Sequence, residues 1–216
     1  MNIASVFIAN RGEIAVRINH ACRKLGLRTV QAVSAADVHS LAARLADAVV
    51  EVGPPPAAKS YLDVARMVAA AREAGCDAVH PGYGFLAENA DFADAVVAAG
   101  MRFIGPSGDA IRLLGDKVAA RRVAAEAGVP VVPGSDGRVA DAARAAELAA
   151  AIGYPVMIKA AAGGGGRGIR IVQDAEEFAR AFPQASGEAS AAFGDGGLYV
   201  EKVIERARHV EVQILG

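Results

Sequence analysis

The sequence predicts an α/β protein that opens with a parallel sheet and continues into a unit organised around a glycine loop. Three observations carry this. Apolar runs of strand length alternate with Ala-rich stretches of helical periodicity from Val6 to Gly105. Gly, Pro and Asn punctuate the joints between them, as strand-to-helix turns require. Further on, Tyr154-Pro-Val-Met-Ile-Lys159 is an apolar strand ending in lysine, Gly163-Gly164-Gly165-Gly166-Arg167-Gly168 a loop, and Ile169–Val172 a second apolar strand. Strands alternating with helices of this length imply parallel βαβ units in an open sheet.

In order, Val6–Ala9 reads as a short buried strand followed by the loop Asn10-Arg11-Gly12. Glu13–Leu25 is a helix with Ile14, Ile18, Ala21 and Leu25 at helical spacing, stopped by Gly26. Arg28–Ser34 is the second strand, Leu41–Ala46 a short helix, and Asp47–Val52 a strand closed by the rigid turn Gly53-Pro54-Pro55-Pro56. A helix is expected over Tyr61–Ala74, a strand over Ala78–His80, a helix from Asn89 to Ala99, and a strand over Arg102–Gly105. Ligands in open α/β sheets sit beyond the carboxyl ends of the strands. That places Asn10-Arg11-Gly12-Glu13 and His80-Pro81-Gly82-Tyr83-Gly84 toward a site. Each also reads as an ordinary turn, and His80 by itself as a structural histidine.

The second half changes character. Asp116 should cap a helix over Lys117–Ala127, ended by Gly128 and Pro130. Val139–Ile152 is a second Ala-rich helix. Asp174 and Glu177 form a capping box for a third, which Pro183 should kink or end. Leu198–Ile204 and His209–Leu215 alternate as strands, the latter leaving Val210, Val212 and Ile214 on an unpaired apolar edge. Two domains are expected, 1–115 and 116–216, with a flap over about 130–204. The halt in a strand at Gly216 implies that the remainder of the second domain is absent.

Composition narrows the function. Hydrophobic residues make up 53% and charged residues 22% of the 216, which excludes disorder, and a net charge of −1 gives no general attraction to nucleic acid or anionic membrane. No apolar run approaches the ~20 residues of a membrane span, and the first residues begin no signal peptide, so a cytoplasmic location is expected. Cys22 and Cys76 fit a reducing compartment as small buried hydrophobes, and no Cys/His pair has zinc-ligand spacing.

The strand–loop–strand unit carries chemistry. A lysine fixed on a strand supplies a point charge for phosphate oxygens, and glycines let backbone N–H groups approach those oxygens without side-chain clash. Four consecutive glycines also suit a flexible linker, but linkers carry Ser or Thr and are not bracketed by β-rich runs. Lys159 precedes the glycines, so the loop is not a Walker motif.

Longer strings now stand out: Ile8-Ala9-Asn10-Arg11-Gly12-Glu13-Ile14-Ala15, Ser60-Tyr61-Leu62, and His80-Pro81-Gly82-Tyr83-Gly84-Phe85-Leu86-Ala87-Glu88-Asn89. To these are added Phe103-Ile104-Gly105-Pro106, Gly115-Asp116-Lys117, Gly128-Val129-Pro130, Pro133-Gly134, Gly153-Tyr154-Pro155, the glycine loop and Arg208-His209-Val210-Glu211. Together, and in this order, they resemble the amino-terminal half of biotin carboxylase, the ATP-grasp component of acetyl-CoA, propionyl-CoA, methylcrotonyl-CoA and pyruvate carboxylases. The resemblance implies a Rossmann-like pre-ATP-grasp domain followed by an incomplete ATP-grasp domain. It also implies ATP-dependent formation of carboxyphosphate from bicarbonate and carboxylation of carrier-bound biotin, with Mg2+ held by residues outside this chain. By the same resemblance Lys117 and Lys159 contact phosphates, and Gly163, Gly164, Gly165, Gly166 and Gly168 fold over them. Glu201, Lys202, Val203 and Ile204 form the hinge whose backbone reads adenine, and His209 lies on the ribose side. Implied partners are a biotin carboxyl carrier, a carboxyltransferase and a second copy docked through the first helix. There Arg17, His20 and Lys24 form a basic face that opposes self-pairing. Against these expectations stand two others: a stand-alone nucleotide-binding or dimerising module without catalysis, and another ATP-grasp ligase of the carbamoyl-phosphate or purine-pathway kind.

Overall fold

A computed structural model describes residues 3–115, 117–160, 169–210 and 212, with the side chains of Lys117, Val118 and Phe193 outside that description. The chain divides into two units, Met1–Asp116 and Lys117–Val212.

In the first unit, Ser5–Ile8 (β1), Arg28–Ser34 (β2), Ala48–Gly53 (β3), Ala78–His80 (β4) and Arg102–Phe103 (β5) form one sheet in the order β3-β2-β1-β4-β5. Every pairing is parallel. The helices Gly12–Lys24 (α1), Leu41–Leu45 (α2), Val64–Glu73 (α3) and Ala90–Ala98 (α4) connect the strands. A strand buried on both faces reads as a near-continuous apolar run; in β1 that run is Val6–Ile8, while the buried Ser5 hydroxyl is satisfied by donating to Asp77 at 2.8 Å. The side chains of β1 alternate between two cores. Val6 and Ile8 pack with Ala15, Ile18, Cys22 and Ala42, whereas Phe7 and Ala9 pack with Met67, Ala71, Phe92 and Val96. Cys22 and Cys76 are free and buried in opposite cores, where burial pushes both thiols up. Arg17, His20 and Lys24 are exposed on α1.

In the second unit, Val156–Ala160 (β6), Ile169–Val172 (β7) and Leu198–Lys202 (β8) pair antiparallel in the order β7-β6-β8. Val156, Ile158, Val172, Leu198 and Val200 pack with Ala145 and Ala149 of Ala142–Ile152 and with Phe178, Phe182, Ala185 and Ala189 of Ala175–Phe193.

Several boundaries depart from the sequence pattern. The third helix begins at Val64 because Asp63 accepts the Arg66 N–H at 3.0 Å, while Tyr61 is drawn into the core. The helix Gly108–Gly115 (α5) is unforeseen; glycines at both ends hide it, and it is tied down by buried Ile111 and by Arg112, 2.6 Å from Asp94. A further helix, Lys117–Glu126 (α6), follows. Ala142–Ile152 (α7) starts three residues late because Asp141 caps it and Val139 bridges to Leu198. Ala175–Phe193 (α8) continues through Pro183. A proline there removes one helical N–H, and the continuous apolar stripe through Phe178, Phe182, Ala185 and Ala189 offsets the loss. Finally, 207–210 and 212 carry no strand. Alternation predicts a strand, but only a paired neighbour makes one. Val210 and Val212 are exposed; Glu211 and Ile214 lie outside the described residues.

Candidate functional site

Alternation in the three-stranded sheet places Met157, Lys159, Ile169, Ile171, Tyr199 and Glu201 on the face opposite the helices, and all six are partly or well exposed. Lys159 is registered opposite Tyr199, so Glu201 is its diagonal neighbour on the same face. Lys159 Nζ donates to Glu201 Oε2. The other carboxylate oxygen, Oε1, accepts from Arg121 Nη1 at 3.1 Å, and Arg121 Nη2 donates to the Val132 carbonyl at 2.7 Å. One carboxylate is thus shared by two cations. A Cβ on Gly134 would stand 2.8 Å from the Val200 carbonyl and 3.0 Å from Arg121 Nη1, so a larger residue would displace this arrangement.

The sequence-expected residues divide accordingly. Lys159 and Glu201 come together. Lys202 falls on the opposite face, where its ammonium donates to the Gly153 and Tyr154 carbonyls at 2.9 and 2.8 Å and so satisfies the carboxyl end of α7. Val203 and Ile204 lie just past β8. The Lys202 and Val203 N–H groups are bonded to the Pro133 and Pro155 carbonyls, while the Ile204 N–H has no backbone partner among the described residues. His209 is exposed beyond the turn that follows. Lys117 opens α6. The Lys117 side chain and Gly163, Gly164, Gly165, Gly166 and Gly168 lie outside the described residues. Arg121 and Gly134 were missed by sequence reasoning. The pair Arg121-Arg122 in an Ala-rich helix reads as a solvated face, and nothing in the sequence points Arg121 at β8.

In the first unit the chain passes from β1 to β2 and β3 on one side, then crosses back to β4 and β5 on the other. The loops after β1 and β4 flank that switch point, where open α/β sheets bind ligands. Buried Asn10 joins them: its Nδ2 donates to the Pro81 and Tyr83 carbonyls at 2.6 and 2.8 Å. Gly82 has φ +64°, and a Cβ on it would stand 2.8 Å from Asn10 Nδ2. Phe85, also at positive φ (39°), stacks on Tyr61 with centroids 5.1 Å apart. The Tyr61 hydroxyl donates to Asp37 at 2.8 Å and accepts from the Ser34 N–H at 2.9 Å; burial pushes it up to about 12. Burial would raise Asp37, but hydrogen bonds from Ser34, Tyr61 and Arg11 outweigh it and hold the carboxyl below its usual range.

His80 Nδ1 accepts the Gly82 N–H at 3.0 Å, and burial lowers the imidazole below its usual 6.5. Only the neutral ring can accept. A base whose folded pKa is depressed contributes stability that is complete above its unfolded value and is lost as pH falls below it. Thermal midpoints should therefore decline as pH falls below about 6.5, and His80→Asn, which keeps an acceptor without titrating there, should flatten that decline. Parallel melting profiles of the two proteins check this, and identical slopes would refute it.

Among the described residues, no group of three His, Cys, Asp or Glu side chains could hold a metal ion. No helix among them is long and apolar enough to cross a membrane.

Comparison with known proteins places these features. Residues 2–111 match the family described as biotin carboxylase, N-terminal domain, and residues 116–216 match the carbamoyl-phosphate synthase L chain, ATP binding domain. A biotin carboxylase of Nostoc sp. is 52% identical over 215 residues, 100% of this chain and 48% of the relative. The biotin carboxylase domain of a thermophilic 2-oxoglutarate carboxylase bound to bicarbonate superposes with a TM-score of 0.87 at 42% identity, over 95% of this chain and 44% of that one. Biotin carboxylase of Campylobacter jejuni in a β,γ-ATP complex superposes with a TM-score of 0.81 at 46% identity, over 94% and 46%. The chain spans about half the length of the relatives it matches. The match over 2–111 speaks against a carbamoyl-phosphate or purine-pathway ligase. With its parallel amino-terminal sheet, its lysine-bearing antiparallel sheet and close relatives over its whole extent, this chain belongs to the biotin carboxylase family.

Proposed function

We propose that this chain supplies the ATP-binding elements of a biotin carboxylase, which activates bicarbonate with ATP and carboxylates biotin on a carrier within an acyl-CoA or pyruvate carboxylase. The observation that carries the proposal is Lys159, presented with Glu201 on the open face of the antiparallel sheet, on the strand that precedes the glycine run in the sequence. Lys159 and Lys117 would offset charge on the transferring phosphoryl group while Gly163 to Gly168 enclose it. Most of what such enzymes supply is positioning and electrostatics. The Ile204 N–H and the carbonyls of the Glu201–Ile204 segment would read the adenine edge, with His209 on the ribose side. Lys202 contributes through its backbone, because its ammonium is committed to α7.

Bicarbonate oxygen attacks the γ-phosphorus and ADP leaves. The carboxyphosphate formed decomposes to CO2 and phosphate, and N1′ of biotin, losing its proton to that phosphate, takes up the CO2. The described residues offer no ligand set for Mg2+, so no step is assigned to it. The partners would be the biotin carrier, a carboxyltransferase and a second copy of the chain, and the location would be cytoplasmic. The test uses the full-length polypeptide with free biotin. Phosphate release from ATP should require bicarbonate and rise with biotin. ATP turnover indifferent to bicarbonate would overturn the reading.

A further inference from the structure

Glu201 poses an electrostatic difficulty for any triphosphate approaching Lys159. The Lys159 ammonium is already committed to Glu201 Oε2. A phosphate that draws it away would leave a partly shielded carboxylate, its side chain 22% exposed, facing an incoming polyanion. An abandoned carboxylate in such a position is costly and repels the ligand. Arg121 removes the difficulty. It holds the other oxygen, Oε1, at 3.1 Å, and is itself anchored on the Val132 carbonyl at 2.7 Å. Gly134 leaves the space it occupies. A planar guanidinium fastened at two points stays where it is, whereas a four-carbon ammonium can swing.

We infer that Arg121 is a positioning residue that keeps Glu201 neutralised and in place while Lys159 exchanges Glu201 for phosphate. The inference rests on the reading that ATP phosphates meet Lys159. It assigns Arg121 no contact with nucleotide. Its effect should therefore scale with ligand charge: large for ATP, smaller for ADP and absent for adenosine.

The experiment measures ATP, ADP and adenosine affinities of the full-length polypeptide carrying Arg121→Met, Arg121→Lys, or Arg121→Met with Glu201→Gln. In Arg121→Met, ATP should bind about fivefold more weakly, in line with partly exposed ion pairs, with adenosine unchanged. Arg121→Lys should recover part of the loss. The double variant should recover most of it, because a glutamine leaves no stranded charge. A merely structural Arg121 would weaken ATP and adenosine alike and gain nothing from Glu201→Gln. A second readout needs no nucleotide: acetylation of Lys159 by acetic anhydride, followed by peptide mass spectrometry. Arg121→Met should slow it severalfold, because Glu201 then falls to Lys159 alone, and Glu201→Gln should restore it. An unchanged ATP-to-adenosine ratio, or unchanged Lys159 labelling, overturns the inference. If the unaltered protein binds no adenine nucleotide, the ATP reading fails instead, and labelling alone decides whether Arg121 controls Lys159.

Discussion

Lys159→Ala is expected to weaken ATP binding by about tenfold to a hundredfold, the range for losing a charge-assisted hydrogen bond of ~1.5–3 kcal/mol. The loss is that of the ammonium at the phosphates, because Glu201 keeps its contact with Arg121 in the variant. Adenosine, which carries no phosphate, should bind the variant as it binds the unaltered protein. Calorimetric titration of the full-length polypeptide with both ligands separates these outcomes. Equal loss for adenosine and ATP would mean that Lys159 supports the sheet and does not serve phosphate.

Phe178→Ala should cost the second unit about 3–5 kcal/mol, the range for truncating a buried phenylalanine. Phe178 is 1% exposed, stacks on Phe182 with centroids 5.5 Å apart, and meets the Tyr154 ring edge-on at 6.4 Å. It joins α8 to Val156, Ile158 and Val172 on the buried face of the sheet. A cavity there loosens the support beneath β6, the strand that carries Lys159. Hydrogen exchange should show faster opening of the β6 and β8 amides, and the denaturant midpoint of this unit should fall. Unchanged exchange in β6 would place the stability of the sheet elsewhere.

The two units differed in how far they could be read in advance. In the first, the apolar run Val6–Ile8 of β1 and the helical spacing of α1 are dictated locally, because a strand covered on both faces favours apolar residues along most of its length. Their positions followed closely from the pattern. Where a single side chain decides a boundary, the pattern failed. Asp63 and Asp141 set helix starts by accepting one N–H each, and the apolar residues before them went to the core or to a bridge. Pro183 shows the reverse: of the two outcomes its local signal allows, a kink or an end, the helix does not end there, because it carries an apolar stripe whose burial exists only once the sheet is in place.

The same division runs through the candidate site. Lysine on a strand before a glycine run was visible because the chemistry lies in consecutive residues, and the motif strings were long enough to indicate the family. The sequence by itself thus determined the α/β class, the succession of the five strands of the first unit, the family and the lysine on the strand before the glycine run. Tertiary structure alone decided that Glu201 meets Lys159, that Arg121 shares its carboxylate from 80 positions away, and that Lys202 turns to the other face. The physical reason is register. Which residues of β6 and β8 are neighbours depends on how the strands slide past one another, and a shift of one residue would exchange the two faces. That choice is made by the buried contacts of Val156, Ile158, Leu198 and Val200 with α7 and α8, and it cannot be read from any one strand.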